Sequence, residues 1–344
     1  MSKIKKTTFL IISISLFFSF RLLGAIQEDT TNKHELTIFV IPSHRNIDWQ
    51  SPSSLAQTTT KSWISSKFVR HSYYIGHLFI ELTSSLLDRP VVTSVRSVGN
   101  KEKLRLLYKE KIGMAIIGAP LKGRMESADE LVRSIDFTLK KERSIAFIKY
   151  SINENAAKRI IEFIEGFSKP DSTSQAPCDI YGGGYWPRYK GEGAGCSAFG
   201  MVVMEVAGLK HDYPEWIHSV NIPAELVGGQ YNNYIKVKNS TINNTTAWND
   251  GSGTANIDYF SFSIYDPTLI YNWIINMRST CETDTSVILS GFKPAVITRD
   301  QGTIPGLYLD ARKMHIPLDE PVFKERETFS IFAIPPTTQS RRHK

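Results

Sequence analysis

The feature that most constrains this chain is a glycine-rich loop that runs into a cysteine and then into an apolar helix. The loop reads Tyr181-Gly-Gly-Gly-Tyr-Trp-Pro-Arg-Tyr-Lys-Gly-Glu-Gly-Ala-Gly-Cys196, and from Ser197 to Ala207 the only charge is Glu205. A helix that is apolar on every side belongs in the interior, and Gly208 suits the position just past its end. Cys196 therefore opens a buried helix, where free backbone N–H groups and the positive helix end favour a thiolate. Gly193, Ala194 and Gly195 are small enough to leave the approach unobstructed, so a substrate backbone could lie against the thiol. The competing reading is a structural cysteine, because cysteine is among the most buried residue types. A partner base decides between them.

With 344 residues the chain can form one elaborated domain or two ordinary ones, and 41% apolar with 22% charged residues is globular composition. It begins Met-Ser-Lys-Ile-Lys-Lys and continues with the apolar run Phe9 to Phe20, closed by Arg21. A basic n-region and a short h-region of this kind read as a secretory signal peptide over residues 1–25, cleaved near Ala25. The run is too short for a comfortable span, so no stable membrane span is expected after cleavage. No cysteine follows it to carry a lipid. The protein is thus expected to be exported, to a bacterial periplasm or extracellular space.

The formal charge of +7 includes Lys3, Lys5, Lys6 and Arg21 of the signal, so the mature chain carries +3, matched by Arg341, Arg342 and Lys344 in a polar tail. A near-neutral body gives nucleic-acid binding no electrostatic support. Three cysteines are an odd number for an exported chain. Either Cys178 pairs with Cys281 and leaves Cys196 free, or all three are thiols.

Along the chain, Glu35–Ile41 reads as a strand, Ser51–Lys61 as a Ser/Thr-rich loop and Ile75–Leu82 as a strand with His77 near its start. Pro90–Val98 is expected as its antiparallel partner and Ile112–Ala119 as a further strand, with a charged helix or turn over Lys101–Lys111. Met125–Lys141 reads as a surface helix and Ile145–Tyr150 as a strand. Ser151 with Glu154 forms a capping box for a helix whose inner face is Ala157, Ile160, Ile161, Ile164 and Phe167. Residues 171–177 form a polar link. Beyond Leu209, Tyr234–Lys238, Ile257–Tyr265, Val287–Ile297 and Phe329–Ile334 are expected strands, Asn239–Thr254 a polar loop, and Asp266-Pro-Thr the start of a helix.

Of the eight histidines, His343 lies in the tail and His34 near the mature start, while His211 and His218 follow the nucleophile helix in an expected surface loop. His77, placed by Gly76 at the head of an apolar strand, is the best base. A strand-borne imidazole facing a helix-borne thiol is the geometry of Cys–His nucleophilic catalysis.

Gly76-His77-Leu-Phe-Ile-Glu, a following strand, the helix Ser151-Ile-Asn-Glu-Asn-Ala-Ala-Lys-Arg-Ile-Ile-Glu-Phe-Ile, and Gly195-Cys196-Ser-Ala-Phe199 together resemble the circularly permuted papain-like superfamily. This is the branch of the NlpC/P60 group that includes lecithin:retinol acyltransferase-like proteins and YiiX-type hydrolases, in which the histidine precedes the cysteine. The resemblance covers about Glu35 to Lys210. It implies an α+β fold, a permuted papain-like antiparallel sheet packed on a central nucleophile helix over residues 35–210. Residues 211–344 would form a β-rich C-terminal extension, packed on the same domain or apart from it.

The resemblance also implies the site: Cys196 as nucleophile, His77 as base, and a third polar group from the neighbouring strand to orient the imidazole. Thr93, Ser94 and Ser97 are available there, and Thr93 is the one put forward; Glu81 shares the face of His77 but lies about 13 Å along the strand. Tyr185 and Tyr189, upstream of the cysteine, are eligible to contribute to the oxyanion site. Such a site would hydrolyse an amide or ester by acyl transfer to the thiol, as an amidase, cysteine peptidase or esterase, without cofactor or metal. Its substrates would be acyl compounds such as cell-envelope peptide crosslinks or lipid esters. Two other classes compete: a non-catalytic exported binding or surface protein on the same fold, and an unrelated β-rich exported protein in which Cys196 is structural.

Overall fold

The computed structural model describes residues 34–69, 73–141, 144–170, 175–209, 213–283 and 291–326. The expected signal peptide, the start of the 171–177 link, His211, the strand at Phe329–Ile334 and the basic tail lie outside them. The fold is α+β, with a mixed sheet and seven α-helices among the described residues.

The main sheet is built from β1 (His34–Ile41), β2 (His77–Ser84), β3 (Val91–Thr93), β6 (Ala146–Ser151), β10 (Lys293–Arg299) and β11 (Gly302–Asp310), in the order β10-β11-β6-β1-β2-β3. Its neighbours run antiparallel except β11, which lies parallel to β6. The sheet is thus mixed where a wholly antiparallel one was expected. Residues 293–310 also complete the sheet begun by residues 34–41, so the C-terminal part shares the architecture of the first half.

Both faces are covered, which is why β1 is buried at nearly every position. On one face Leu36, Ile38, Leu78, Ile80 and Ile148 meet α4 (Glu154–Ser168), α5 (Cys196–Val206) and α7 (Pro267–Thr283) through Ile160, Phe163, Phe199, Val202 and Ile270. On the other, Phe39, Phe79, Phe147 and Ile304 receive Leu131, Ile135 and Leu139 of α3 (Ala128–Lys141). Each such fully buried side chain contributes about 1.5–3 kcal/mol. Helix α5 comes close to β2 because Gly200 has no side chain: a Cβ there would lie 2.0 Å from Leu78 Cδ2.

A smaller antiparallel sheet, β4 (Val95–Ser97), β5 (Leu121–Met125) and β7 (Ile180–Tyr181), stands beside the first. A hairpin of β8 (Ile217–Pro223) and β9 (Tyr259–Tyr265) follows. Its Ile222, Phe260 and Phe262 join Leu55, Ile112, Met114 and Leu226 in a second core.

Several local expectations change. Ser51–Lys61 is not a loop but the first part of α1 (Pro52–Val69). Ser51 Oγ accepts the Ser54 N–H, Pro52 opens the first turn, and the Thr58 and Thr60 hydroxyls donate back to the Ser54 and Ala56 carbonyls. The Ser51 cap and Pro52 start the helix, and the threonine hydroxyls are then satisfied within it, so a Ser/Thr-rich segment folds as helix. Pro90–Val98 divides at Ser94 between the two sheets. Ile112–Ala119 is a 3₁₀ turn at Met114–Ile117 set off by Gly113 at φ 64°, so its apolar residues enter the second core without pairing along a strand. Ser151 ends β6, and α4 is capped by Asn153, whose side chain accepts the Ala156 N–H. Tyr234–Lys238 is no strand, because Asn233 and Tyr234 are left-handed. The polar stretch after it contains the short helix α6 (Asn239–Asn244). His218 lies within β8, where it pairs with Asp266.

Candidate active site

The glycine loop and α5 together place the thiol. Gly195 is the N-cap of α5 and Cys196 its first residue, with the first helical bond running from the Phe199 N–H to the Gly195 carbonyl. The N–H groups of Cys196, Ser197 and Ala198 precede that bond and are free of intrahelical acceptors. Gly193 serves packing, not substrate approach: a Cβ on it would lie 2.1 Å from the Ile180 carbonyl oxygen. Gly195, by contrast, lines an open cavity beside Cys196.

His77 is the first residue of β2, paired with Ile41, and is 3% exposed. Strand β3 pairs only with Ile80–Leu82, leaving the head of β2 uncovered. There the chain turns at Ser94, whose hydroxyl donates to the Leu78 carbonyl. Into the opening comes Glu126, directly after β5. Its backbone N–H donates to the Ser94 carbonyl, and its Oε2 lies 2.6 Å from His77 Nε2 with the carboxylate fully buried. That contact leaves Nδ1 as the ring nitrogen for the thiol. Tyr73 stacks on the imidazole at 4.0 Å between centroids, nearly coplanar, and its hydroxyl donates to Glu126 Oε1. Arg96 Nη1 lies 3.4 Å from the same oxygen.

The side chain that meets the imidazole is therefore Glu126, not Thr93. The Thr93 hydroxyl donates to the Glu126 backbone carbonyl, so this threonine holds the residue that contacts the imidazole. Ser94 and Ser97 do not orient the ring either: Ser94 caps Leu78, and Ser97 pairs with Gly123 in the small sheet. Glu81 is bound in register opposite Thr37 and Val92, away from the head of the strand.

Electrostatics follow from this geometry. Burial pulls His77 down, but the Glu126 carboxylate and then the Cys196 thiolate outweigh it, and its pKa is pushed up to about 9. Burial likewise opposes ionisation of Cys196, yet the His77 imidazolium and a bond from the Leu78 backbone hold the thiol below its ordinary value. Glu126 is held below the usual carboxylate range against its own burial, chiefly by His77 and then by Arg96 and Tyr73. The two charges thus favour each other, the imidazolium the thiolate and the thiolate the imidazolium.

Of the tyrosines, the structure brings Tyr181 to the thiol. It ends β7, and its hydroxyl is hydrogen-bonded to Cys196; burial first, and the thiolate next, raise its pKa well above the usual phenol value. Tyr185 is buried, packs against Gly182 and lines the cavity wall. Tyr189 is turned away under the Arg326 guanidinium, 4.1 Å from its ring centroid, and does not line the cavity. The same strap fixes the loop: Glu192 pairs with Arg326, and buried Arg188 lies against Glu205, Glu320 and the Val322 carbonyl.

Cys178 and Cys281 are not joined. Cys178 is a buried thiol of the main core and Cys281 a half-buried one whose Sγ lies 3.7 Å from the Phe292 carbonyl, so no disulfide links any of the three cysteines. Among the described residues no cluster of side chains could hold a metal ion, and no helix is long and apolar enough to cross a membrane.

The thiol opens onto a cavity of about 640 Å³. Its walls are Trp49, Leu55 and Trp63 near α1, Leu104 and Leu107 from the charged turn, Ile116 and Ile117, and Phe262 and Ile264 of β9. Lys103 and Asp266 are the only charged side chains of the lining among the described residues. Both are engaged, Lys103 with the Tyr74 hydroxyl and Asp266 with the Thr268 N–H and His218. The family-model scan and the searches of curated proteins and solved structures return no match to this chain.

Proposed function

We propose that this protein is an exported cysteine-dependent acyl hydrolase, cleaving an amide or ester through Cys196 with His77 as proton carrier and Glu126 as its orienting carboxylate. The observation that carries the reading is the buried row Glu126–His77–Cys196, in which each charge stabilises the next and whose thiol end lines a large cavity. The order of parts, histidine on a strand before cysteine on a helix, supports a circularly permuted papain-like arrangement.

In this mechanism the thiolate attacks the acyl carbon, and the carbonyl electron pair moves onto oxygen. In this reading the Cys196 N–H, free at the helix start, and the Tyr181 hydroxyl beside the thiol donate to that oxyanion. The bond to the leaving group breaks as His77 gives it a proton. A water molecule then attacks the thioester, its proton passing to His77, and the acid departs with the thiolate restored. Throughout, Glu126 fixes the ring and stabilises the imidazolium without taking the proton.

The competing reading, a non-catalytic binding protein on the same fold, gives the buried carboxylate beside His77 no role. The test is labelling of Cys196 by iodoacetamide and by an electrophilic acyl probe between pH 5 and 10, comparing wild type with Cys196→Ala and His77→Ala. Rapid labelling at pH 6 that needs His77 supports the reading. A profile matching an unperturbed thiol near 8.5 refutes it. Export is tested by mass spectrometry of the envelope and medium fractions, where a mature chain beginning near residue 26 is expected and an intact Met1 would count against it.

A further inference from the structure

The mouth of the cavity has a surface of its own. Ile64 and Phe68 stand one turn apart on α1, and Leu104 and Tyr108 one turn apart on α2 (Lys101–Leu104) and the π-helical segment Arg105–Glu110 that continues it between β4 and β5. Ile75 lies between these elements at the head of β2. Their exposures are 46% for Ile64, 83% for Phe68, 40% for Leu104, 63% for Tyr108 and 43% for Ile75. Leu104, Tyr108 and Ile75 line the cavity itself, as do Thr60 and Trp63, which lead up α1 to Ile64 and Phe68. Apolar side chains this exposed, gathered at one opening, are not ordinary surface scatter.

The same segments are basic. Lys61, Lys67, Lys101, Lys103, Arg105 and Lys109 stand among these residues, against Glu102, which accepts the Lys122 N–H, and Glu110, which pairs with Arg105, so the lysines carry the excess. The body of the chain is otherwise near neutral, so this is a local concentration of positive charge. Aliphatic and aromatic side chains interleaved with lysines suit the headgroup and upper acyl zone of an anionic bilayer.

We propose that the cavity mouth docks on an anionic lipid surface, with Phe68, Ile64, Leu104 and Tyr108 inserted and the lysines on the headgroups, so that the apolar cavity opens into the acyl layer. Resting on the hydrolase reading, this makes the acyl chain of a membrane lipid the group presented to Cys196. The lining is mostly apolar, with Lys103 and Asp266 its only charged side chains among the described residues, which suits an acyl chain better than a multiply charged envelope peptide.

The experiment is co-sedimentation of the full mature chain with phosphatidylcholine vesicles, with and without a phosphatidylglycerol fraction, at low and high salt. Binding is expected only with the anionic lipid and is expected to weaken with salt. Lys101→Gln and Lys109→Gln should each lose roughly fivefold in affinity, the equivalent of about 1 kcal/mol per lysine. Phe68→Ser with Tyr108→Ser should weaken binding further while the circular dichroism spectrum stays unchanged. Cys196→Ala should bind as wild type does. Vesicle binding together with an inert Cys196 would support the docking surface and overturn only the hydrolase reading. A reactive Cys196 in a protein that ignores both vesicle types, or binds them equally, would overturn the docking surface alone.

Discussion

Replacing Glu126 by Gln keeps the volume of the side chain and removes its charge. In the wild-type protein the carboxylate is the largest influence raising His77, working against burial. With it gone and burial unchanged, the His77 pKa should fall from about 9 to roughly 6.5 or lower. The sign is fixed by the raised value. The protonated imidazole is secure below about 6.5, and in the wild type it is lost only as pH rises through about 9. In the variant it is already mostly lost at pH 7.5. Without the imidazolium the thiol returns towards about 8.5, so the thiolate fraction at pH 7.5 drops to roughly one-tenth and alkylation of Cys196 slows by about tenfold. Turnover should fall further, by about 10²–10³, because the ring also loses the group that orients it. The assay is the pH profile of iodoacetamide modification beside that of kcat/KM on an activated ester. In the wild type the profile should be bell-shaped, with its alkaline limb near 9; in Glu126→Gln that limb should move to the acid side. A folded variant that retains the wild-type limb and rate would refute the assignment of Glu126.

Tyr181→Phe removes a hydroxyl and little else, so kcat should fall by about 10–10² with KM nearly unchanged, as for a donor that acts on the developing oxyanion. Steady-state kinetics on the same ester decides it, and an unchanged kcat would return Tyr181 to a packing role. Gly193→Ala forces a methyl against the Ile180 carbonyl, and thermal unfolding should show a loss of about 1–3 kcal/mol, an overpacking cost. Along a series of p-nitrophenyl esters from acetate to laurate, kcat/KM should rise by up to about fourfold per methylene, the equivalent of about 0.8 kcal/mol for each CH₂ the cavity buries. A flat series would show that the cavity does not take the acyl group. Arg188→Met should lower stability by about 3 kcal/mol, because Glu205 and Glu320 lose a buried cation; denaturant unfolding with an unchanged slope gives the measurement.

The Cys196–His77 pair was legible because each residue is announced by its own neighbours. Glycine followed by an apolar run marks a buried helix start at Cys196, and His77 heads a strand whose alternation is plain. Glu126 was not legible. It stands beside Ser127 and Glu130 at the start of an amphipathic helix, where an acidic residue is ordinarily a solvated first-turn charge. Only the turn of the chain at Ser94, which opens the edge of β2, makes room for it beside the histidine. Tyr181 was hidden for a related reason: its position depends on β7 pairing with β5, two residues long and bounded by glycine. Of the C-terminal strands, β10 falls partly within the expected Val287–Ile297 strand, and β11 was missed. β10 alternates exposed and half-buried side chains because it is a sheet edge, and β11 interrupts its pattern with Gly302, Pro305 and Gly306. Gly306 is needed there, since a Cβ would meet Phe147 at 2.4 Å, a constraint that exists only once β6 is its neighbour.

That neighbour relation has a consequence for how the molecule is made. β6 leaves the ribosome with β1 ready to pair along one side, while its other side waits for β11, whose residues follow the entire cysteine loop and the β8–β9 hairpin. A nascent chain stopped anywhere between would display the inner strand of the finished sheet as a raw, apolar edge, the kind of surface on which chains join one another. Assembly of this protein should therefore be sensitive to pauses in elongation after β6, and fragments cut near residue 210 should be recovered as aggregates, not as a working half.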